Sequence, residues 1–385
     1  MTAVKLCALV AGGGQITDEV ILPVLAQEKQ SGNISEIRLC ARSSSTALRM
    51  KKKHRLGRAY PESGNDPLAY KRAIRELPPG SACIVAVPDH LHAQVVAECM
   101  INGIHAVVEK PLCLKTSDSA AILRVSHKKG IYVLTDFHKR HDLAVRAAKY
   151  RYETGCLGKL LHGHAWIEEK KSQPLKTFRK WCEKSSPFDY IGVHYADAYH
   201  FITGLNPKKV VAFGQKKFLK EKGIDAFDSV QAVIEWADGS VFFIQSAWVC
   251  SEKNSALTNQ GMQLLGTKGE YWSDHKDRNT HFVTDANGYE DYNPYFFKPY
   301  PDWNGAGKTE WLGYGRDGLR QGLNDIRKIL AETSGFPEKQ ALKLRRKLLE
   351  TFEKTRCLPG QASVSVSIAE AVRKSISLGG KPVYI

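Results

Sequence analysis

The stretch His105-Ala-Val-Val-Glu-Lys-Pro-Leu112 begins as an apolar run and ends on a carboxylate, an amine and a proline. An uninterrupted apolar run is typical of a strand buried on both faces of a parallel sheet. Glu109 and Lys110 follow where this strand leaves the sheet, at the edge where open α/β sheets bind ligands. Pro111 ends the strand because it has no N–H to donate. The stretch predicts either a charged pair held at a ligand-binding edge or an ordinary solvated pair in a loop.

The rest of the first 137 residues alternates apolar runs with helical patterns. Further strands are expected at 5–11, 36–41, 82–88 and 131–137, with helices between them. Alternation of this kind predicts an α/β fold with a doubly wound parallel sheet. The sheet places Glu109 and Lys110 on the same edge as the ends of the other strands.

Length and composition narrow the class of protein. A chain of 385 residues is long enough for two domains, and no apolar segment is long enough to span a membrane. The N-terminus is predicted to be a first strand and not a signal peptide. Nine cysteines are scattered without a Cys-x-x-Cys pair, which is typical of a reducing cytosol. We therefore expect a cytoplasmic protein with no membrane partner.

The net charge of +16 favours anionic partners. The densest basic runs, 51–55 and 343–347, carry no signature of a nucleic-acid-binding module, and the second has leucines at helical spacing. We interpret the second run as a solvated helix face and predict no nucleic-acid partner. Residues 51–53 either add positive potential near a cofactor phosphate or form another solvated face.

A glycine-rich turn, Gly12-Gly-Gly-Gln-Ile-Thr17, lies between the first strand and the first helix. Glycines at this place allow a tight turn and close approach of the backbone to a pyrophosphate, which the helix N-terminus attracts. The turn predicts a dinucleotide site built from five residues: Gly12, Gly13, Gly14, Gln15 and Ile16. Thr17 stands where the usual pattern has a third glycine, and it is small enough to be tolerated.

The second strand ends on Ala41-Arg42-Ser43, where NAD enzymes usually carry an acidic residue for the ribose hydroxyls. A guanidinium beside hydroxyl groups suits a 2′-phosphate, so Arg42 and Ser43 predict that NADP is preferred. The alternative is an NAD site in which Arg42 stacks on the adenine.

Four segments together resemble the Gfo/Idh/MocA oxidoreductases, named for glucose-fructose oxidoreductase and inositol dehydrogenase. They are Gly12-Gly-Gly, Val87-Pro-Asp-His-Leu-His92, Gly103-Ile-His-Ala-Val-Val-Glu-Lys-Pro-Leu112, and Tyr190-Ile-Gly-Val-His-Tyr-Ala-Asp197 with Phe201-Ile-Thr-Gly204. The resemblance implies a dinucleotide-binding Rossmann domain at 1–137. It also implies a substrate-binding and oligomerisation domain at 138–385, with a large, mostly antiparallel sheet. Such proteins commonly associate through this sheet, so a homodimer or homotetramer is expected.

The resemblance also implies roles for individual residues. Lys110 would stabilise negative charge on the reacting oxygen, and His194 would act as acid and base, because histidine titrates near neutral pH. The resemblance further assigns cofactor contacts to Pro88, His92, Glu109 and Lys110, and substrate contacts to Arg140 and Asp197. The alternatives are that Glu109 holds Lys110 in place and that Arg140 belongs to a basic interdomain connector. The implied activity is NAD(P)-dependent transfer of a hydride to or from a CH–OH group of a sugar, sugar derivative or polyol.

One position departs from the family pattern. Many members carry an aspartate four residues before the histidine, whereas this chain has Tyr190 there and Asp189 one place earlier. On a helix, Tyr190 would lie on the same face as His194. Tyr190 is predicted to contact substrate and to take part in proton transfer, and the alternative is a packing residue that has lost the acidic role.

Two other functions stay open at this stage. Some relatives are glycosidases that use bound NAD transiently, and others are regulators that bind a dinucleotide without catalysis. Lys110 and His194 together argue against the regulator. His162 and His164 share one face of a predicted strand, but no third ligand is near them in the pattern, so no metal site is predicted.

Overall fold

The strand His105–Glu109 lies within a parallel sheet, in a computed structural model that describes residues 4–303, 305 and 309–385. The strands are, in chain order, β1 (Leu6–Ala11), β2 (Ile34–Cys40), β3 (Arg58–Tyr60), β4 (Ala82–Val85), β5 (His105–Glu109), β6 (Val133–Asp136), β7 (Leu160–Lys170), β8 (Pro207–Gln215), β9 (Ser229–Trp236), β10 (Val241–Cys250), β11 (Thr258–Gly266), β12 (Glu270–Asp274), β13 (His281–Thr284), β14 (Gly288–Asp291), β15 (Lys298–Pro301), β16 (Thr309–Leu312) and β17 (Val383–Tyr384).

The helices are numbered in the same way. They are α1 (Leu22–Gln30), α2 (Ser44–His54), α3 (Ala69–Arg75), α4 (His92–Ile101), α5 (Thr116–Lys129), α6 (Leu143–Glu153), α7 (Val193–Thr203), α8 (Phe218–Glu221), α9 (Tyr314–Thr333), α10 (Glu338–Glu353) and α11 (Pro359–Ser377). Short 3₁₀ and π-helical turns between these elements are named below where they matter.

The first sheet has the strand order β3-β2-β1-β4-β5-β6, and all its pairings are parallel. This order confirms the predicted doubly wound fold. All six residues of β1 and all four of β4 are buried, which accounts for the near-continuous apolar runs in the sequence. The order reverses between β1 and β4, and sheets of this type bind ligands at the carboxyl ends of the strands beside such a reversal.

Helix α9 packs on the end of this sheet through two glycines one turn apart. A Cβ atom on Gly322 would lie 2.7 Å from Val107 of β5 and 3.0 Å from Leu134 of β6. A Cβ on Gly318 would collide with the carboxylate of Asp136. The two glycines therefore let the backbone of α9 approach β5 and β6 closely, and the helix covers the apolar face of these strands.

The second sheet has the order β12-β11-β7-β10-β9-β8-β17. Only the pairing of β7 with β10 is parallel, so the sheet is mostly antiparallel, as predicted. Along β9 the residues alternate between buried and partly exposed positions, which is the pattern of a sheet with one covered face. Helix α7 packs on β10 and helps to cover that face.

The division into compact units differs from the predicted domains at 1–137 and 138–385. One unit comprises the residues up to 138 together with 297–363, and the other comprises 139–296 and 364–385. The later segment joins the first unit because α9 packs on β5 and β6. No helix in the described part of the chain is long and apolar enough to cross a membrane.

Candidate functional site

The glycine turn after β1 forms a cradle in which each glycine has a different environment. Gly12 has a φ of 130°, and a Cβ there would collide with the carbonyl oxygen of Ala86. A Cβ on Gly13 would lie 2.8 Å from a methyl group of Thr46, whereas none of the described atoms lies within 4 Å of the Cβ position of Gly14. The first two glycines therefore allow close packing, and the third leaves its backbone open to a ligand.

The helix that follows the cradle begins with a π-helical turn, Thr17–Ile21, and continues as α1. Gln15 is exposed and Ile16 is partly buried at the start of this turn. Thr17 is fully buried, so the threonine occupies the place of the usual third glycine without opening the contact between helix and strand. This arrangement fits the pyrophosphate of a dinucleotide.

Asp18 lies in the first turn after the cradle, where a free carboxylate would repel a phosphate. Its carboxylate lies 2.8 Å from Nζ of Lys53 and 2.6 Å from Nε2 of His54. Burial alone would raise the pKa of Asp18, but the hydrogen bonds and charges of Lys53 and His54 outweigh it and hold the pKa at about 2. Side chains of α2 thus balance the charge of the Asp18 carboxylate, so this residue no longer repels a phosphate at the turn.

The segment after β2 leaves Arg42 exposed, and the Arg42 side chain makes no hydrogen bond or ion pair within the described residues. Ser43 caps α2, since its hydroxyl accepts a hydrogen bond from the backbone N–H of Thr46 at 3.4 Å. Arg42 is therefore available to an anion, whereas the Ser43 hydroxyl is partly engaged by its own helix.

Glu109 and Asp136 are register partners at the ends of β5 and β6, so their side chains lie beside each other at the sheet edge. Burial raises the pKa of Glu109 to about 7, although the neighbouring charge of Lys110 opposes the shift. Burial, and then the charge of Glu109, raise the pKa of Asp136 well above its ordinary value. The two carboxyl groups therefore hold a proton in the neutral range, next to Lys110. The sequence analysis missed Asp136, which only the β5–β6 register reveals.

Both ring nitrogens of His92, which is predicted to contact the cofactor, face backbone carbonyl oxygens, and the cofactor contact stays a prediction. Its Nδ1 lies 2.6 Å from the carbonyl oxygen of Pro111, and its Nε2 lies 2.8 Å from that of Val87. The ring is almost completely buried, and burial lowers the pKa of His92, so the neutral ring donates one hydrogen bond to one of these two carbonyl oxygens. His92 ties the segment after β4 to the Lys110-Pro111 segment and so positions Lys110. Pro88 lies beside it, before the short 3₁₀ turn Asp89–Leu91, and is partly exposed.

In the second unit, a π-helical turn, Phe188–Gly192, runs directly into α7. The backbone N–H of Val193 donates to the carbonyl of Phe188, five residues earlier. Residues four apart lie nearly one above the other in such a turn, so Tyr190 and His194 share a face, as predicted. His194 is buried.

Tyr190 belongs to an aromatic cluster. Its ring centroid lies 5.2 Å from that of Phe178, 5.3 Å from Trp181 and 6.2 Å from Trp248. Phe178 and Trp248 are buried, whereas Trp181 and Tyr190 are partly exposed. The packing alternative for Tyr190 is therefore realised in part, and a contact with substrate stays a prediction for its exposed portion. The Phe178 and Trp248 members of this cluster were not predicted, because their rings meet only after folding.

Asp189 does not replace the acidic residue that the family pattern places at 190. Its carboxylate accepts a hydrogen bond from the Ser186 hydroxyl at 2.7 Å and forms an ion pair with Arg373 of α11. The residue is almost fully buried. It fixes the start of the π-helical turn against α11.

Arg140 and Asp197 bind each other. Nε of Arg140 donates to Oδ2 of Asp197 at 2.8 Å, and Nη2 donates to Oδ1 at 2.6 Å. The guanidinium also lies 5.2 Å above the ring of Phe201. This buried bidentate pair ties the segment before α6 to α7 and thereby positions the His194 helix. Contact of either residue with substrate stays a prediction.

Within the described residues, no group of three or more His, Cys, Asp or Glu side chains is arranged to hold a metal ion. The His164 ring packs between aromatic neighbours, 5.5 Å from Trp166 and 5.1 Å from Phe243. It is part of the partly exposed face of the second sheet.

Comparison with known proteins places both halves of the chain in one family. Residues 6–137 match the model described as oxidoreductase family, NAD-binding Rossmann fold, and residues 145–272 match the GFO/IDH/MocA C-terminal domain. The solved structure of myo-inositol 2-dehydrogenase from Lactobacillus plantarum superposes with a TM-score of 0.71 at 15% identity. It covers 99% of this chain and 100% of that one, which shows the shared fold.

Among curated proteins, 2,7-anhydro-N-acetylneuraminate hydratase from Mediterraneibacter gnavus is 29% identical over 42% of this chain and 46% of its own length. Levoglucosan dehydrogenase from Pseudarthrobacter phenanthrenivorans is 25% identical over 51% of this chain and 56% of its own. The matched part of the chain thus spans about half the length of these relatives.

Proposed function

The chain belongs to the GFO/IDH/MocA oxidoreductase family, and we propose that it transfers a hydride between a nicotinamide cofactor and a CH–OH group of a sugar, sugar derivative or polyol. One observation carries the proposal: Lys110 leaves β5 at the same carboxyl edge of the parallel sheet on which the Gly12–Gly14 cradle opens. An amine beside a dinucleotide site suits the oxidation of an alcohol, because it stabilises negative charge on the oxygen.

The residues take complementary roles in this reaction. When bound, the nicotinamide accepts or donates the hydride. Lys110 stabilises the developing alkoxide, and His194 takes the hydroxyl proton in oxidation and returns it in reduction. Glu109 and Asp136 hold a proton beside Lys110 and keep net charge low at this edge. Tyr190 orients the substrate through its exposed portion.

The cofactor is held by the cradle and by the segment after β2. Gly12, Gly13, Gly14, Gln15 and Ile16 bind the pyrophosphate. The exposed guanidinium of Arg42 favours NADP over NAD, because a 2′-phosphate forms charged hydrogen bonds with it and a free hydroxyl does not. The Arg42 side chain has no hydrogen-bond or ion-pair partner within the described chain, which supports this assignment.

A second copy of the chain is the proposed partner of the open face of the second sheet. Trp272 of β12 and Phe213 of β8 are 62% and 52% exposed, and Val233 of β9 lies on the same face between them. In a two-fold dimer the same patch of both copies meets, so exposed apolar side chains on one sheet face can be covered by a second copy. All nine cysteines carry free thiols, which supports a reducing compartment such as the cytoplasm.

The test is a survey of inositols, neutral sugars, sugar acids and nucleotide sugars with NAD or NADP, followed by the absorbance of the reduced nicotinamide. We expect turnover by the wild type and a large loss in Lys110→Met and in His194→Ala. Lys128→Met, on the exposed end of α5, is the matched control and should remain active. Equal inactivity of the wild type and Lys110→Met with every compound would refute the proposal.

A second candidate is a reaction in which the cofactor is oxidised and reduced within one turnover. It is favoured by one observation, namely that the relative of 29% identity is named a hydratase and not a dehydrogenase. Product formation from a sugar without net change in reduced nicotinamide would identify this reaction, and the same Lys110→Met variant would abolish it.

A further inference from the structure

The segment 170–184, which joins β7 to the helical turn before α7, is strongly basic; we call it the basic loop. In the whole chain 56 of 385 residues are Lys or Arg, whereas the basic loop has six in 15 positions. They are Lys170, Lys171, Lys176, Arg179, Lys180 and Lys184. The loop carries one carboxylate, Glu183, so its net charge is +5. The general basicity of the chain does not account for this density.

One of these six cations, Arg179, has an ion-pair partner among the described residues. Arg179 pairs with Glu183 at 3.2 Å, and Nζ of Lys171 lies 4.6 Å above the Phe218 ring. Lys176, Lys180 and Lys184 are exposed, and their side chains make no hydrogen bond or ion pair in the part of the chain that the structure describes. The loop therefore presents positive charge that its own surroundings leave unbalanced.

The basic loop is anchored on the aromatic cluster next to His194. Phe178 and Trp181 belong to the loop, and both rings contact Tyr190, which lies one helical turn before His194. Lys180 directly precedes Trp181 in the chain and is exposed, so its backbone adjoins this cluster. A partly exposed aromatic face suits the apolar face of a sugar ring, and ammonium groups at its rim suit an anion on that ring.

We propose that the substrate is an acidic sugar, whose carboxylate or phosphate group is recognised by Lys176, Lys180 and Lys184 of the basic loop. This inference rests on the proposed function and narrows its substrate class. The three lysines attract the anion and hold it, while Trp181 and Tyr190 contact the ring. Exposed ammonium groups are individually weak partners and are screened by salt, so the preference depends on ionic strength.

The experiment compares matched rings that differ in charge: glucose with glucuronate and glucose 6-phosphate, galactose with galacturonate and galactose 6-phosphate. Initial rates are measured with the full chain at low and at high salt. We expect a higher kcat/KM for an acidic member than for its neutral partner, and an advantage that shrinks at high salt. The uronate and phosphate arms distinguish the two sources of the anion.

The variant Lys176→Ala/Lys180→Ala/Lys184→Ala should raise KM for the acidic sugar by about 10-fold, as three exposed charge pairs allow, and leave the neutral partner unchanged. The matched control is Lys339→Ala/Lys343→Ala/Lys347→Ala on the exposed face of α10, which removes the same charge elsewhere. An equal effect of both triple variants would assign the change to net charge and would overturn the inference.

Other outcomes are equally decisive. Preferred turnover of neutral sugars would overturn the acidic substrate and leave the oxidoreductase proposal intact. A raised KM for NADP in the loop variant, with an unchanged KM for the sugar, would assign the basic loop to cofactor binding. This result would also overturn the inference of an acidic substrate. Failure of every sugar, neutral or acidic, would refute the proposed function itself, and with it this inference.

Discussion

Replacement of Asp197 by asparagine separates a structural role of the Arg140–Asp197 pair from a substrate-binding role. Only 7% of Arg140 and 1% of Asp197 are exposed, and the two hydrogen bonds between them measure 2.8 and 2.6 Å. The substitution keeps the shape of the side chain but removes the negative charge that Asp197 sets against the buried guanidinium of Arg140. Loss of one charge from a buried pair costs about 3–5 kcal/mol. We expect the free energy of unfolding of the second unit to fall by this amount.

The assay is urea-induced unfolding followed by circular dichroism, with a thermal scan beside it. For a unit of this size the expected loss lowers the thermal midpoint by about 6–20 °C. The control is the double variant Arg140→Met/Asp197→Leu, in which an apolar pair replaces the ionic one and should recover most of the stability. If Asp197→Asn stays within about 0.5 kcal/mol of the wild type but raises KM for the sugar, the pair binds substrate and our structural reasoning is wrong.

Three further predictions concern the first unit. Arg42→Ala should raise KM for NADP by about 10- to 100-fold, the value of a charged hydrogen bond, without changing KM for NAD; an equal rise for both cofactors in steady-state kinetics would contradict it. Because the pKa of Glu109 is raised to about 7, the stability that its protonated form contributes at low pH is lost as pH rises through 7. Glu109→Gln should reduce this decline in urea titrations at pH 5 to 9, although the raised pKa of Asp136 leaves part of it, and an unchanged decline would exclude Glu109 as a source. The pKa of Asp18 is lowered from 3.8 to about 2, so its contribution of up to about 2 kcal/mol is complete above pH 3.8 and is lost as pH falls to about 2. Screening of the exposed Lys53 reduces this figure, and an acid-unfolding curve of Asp18→Asn with the same slope as the wild type would refute the assignment.

The features that sequence could predict are local ones. Apolar runs of strand length, separated by helices, predict a parallel sheet, and the strand ends then place Gly12, Arg42 and Lys110 on one edge. A helical periodicity predicts that Tyr190 and His194 share a face. In each case the evidence lies within a few residues of the chain, so one sequence is sufficient.

The features that sequence could not predict depend on distant segments meeting. Asp136 becomes part of the site because β6 pairs with β5 in a register that sets it against Glu109. The ring nitrogens of His92 face two backbone carbonyl oxygens, one of them 19 residues away, and no local pattern indicates these contacts. Asp189 looks like a displaced catalytic acid until Arg373, from the last helix, is found beside it.

The first unit is formed by two segments that are far apart in the chain, and this affects its folding during synthesis and the fragments that can be cut from it. During synthesis, residues 139–296 are complete before α9 exists, so Val107 and Leu134 have no helix to cover them until Gly322 has left the ribosome. A fragment cut after residue 137 would retain the glycine cradle and Lys110, yet it would expose apolar surface on β5 and β6 and tend to aggregate. The smallest nucleotide-binding fragment of this protein must therefore contain both the early and the late segment of the chain.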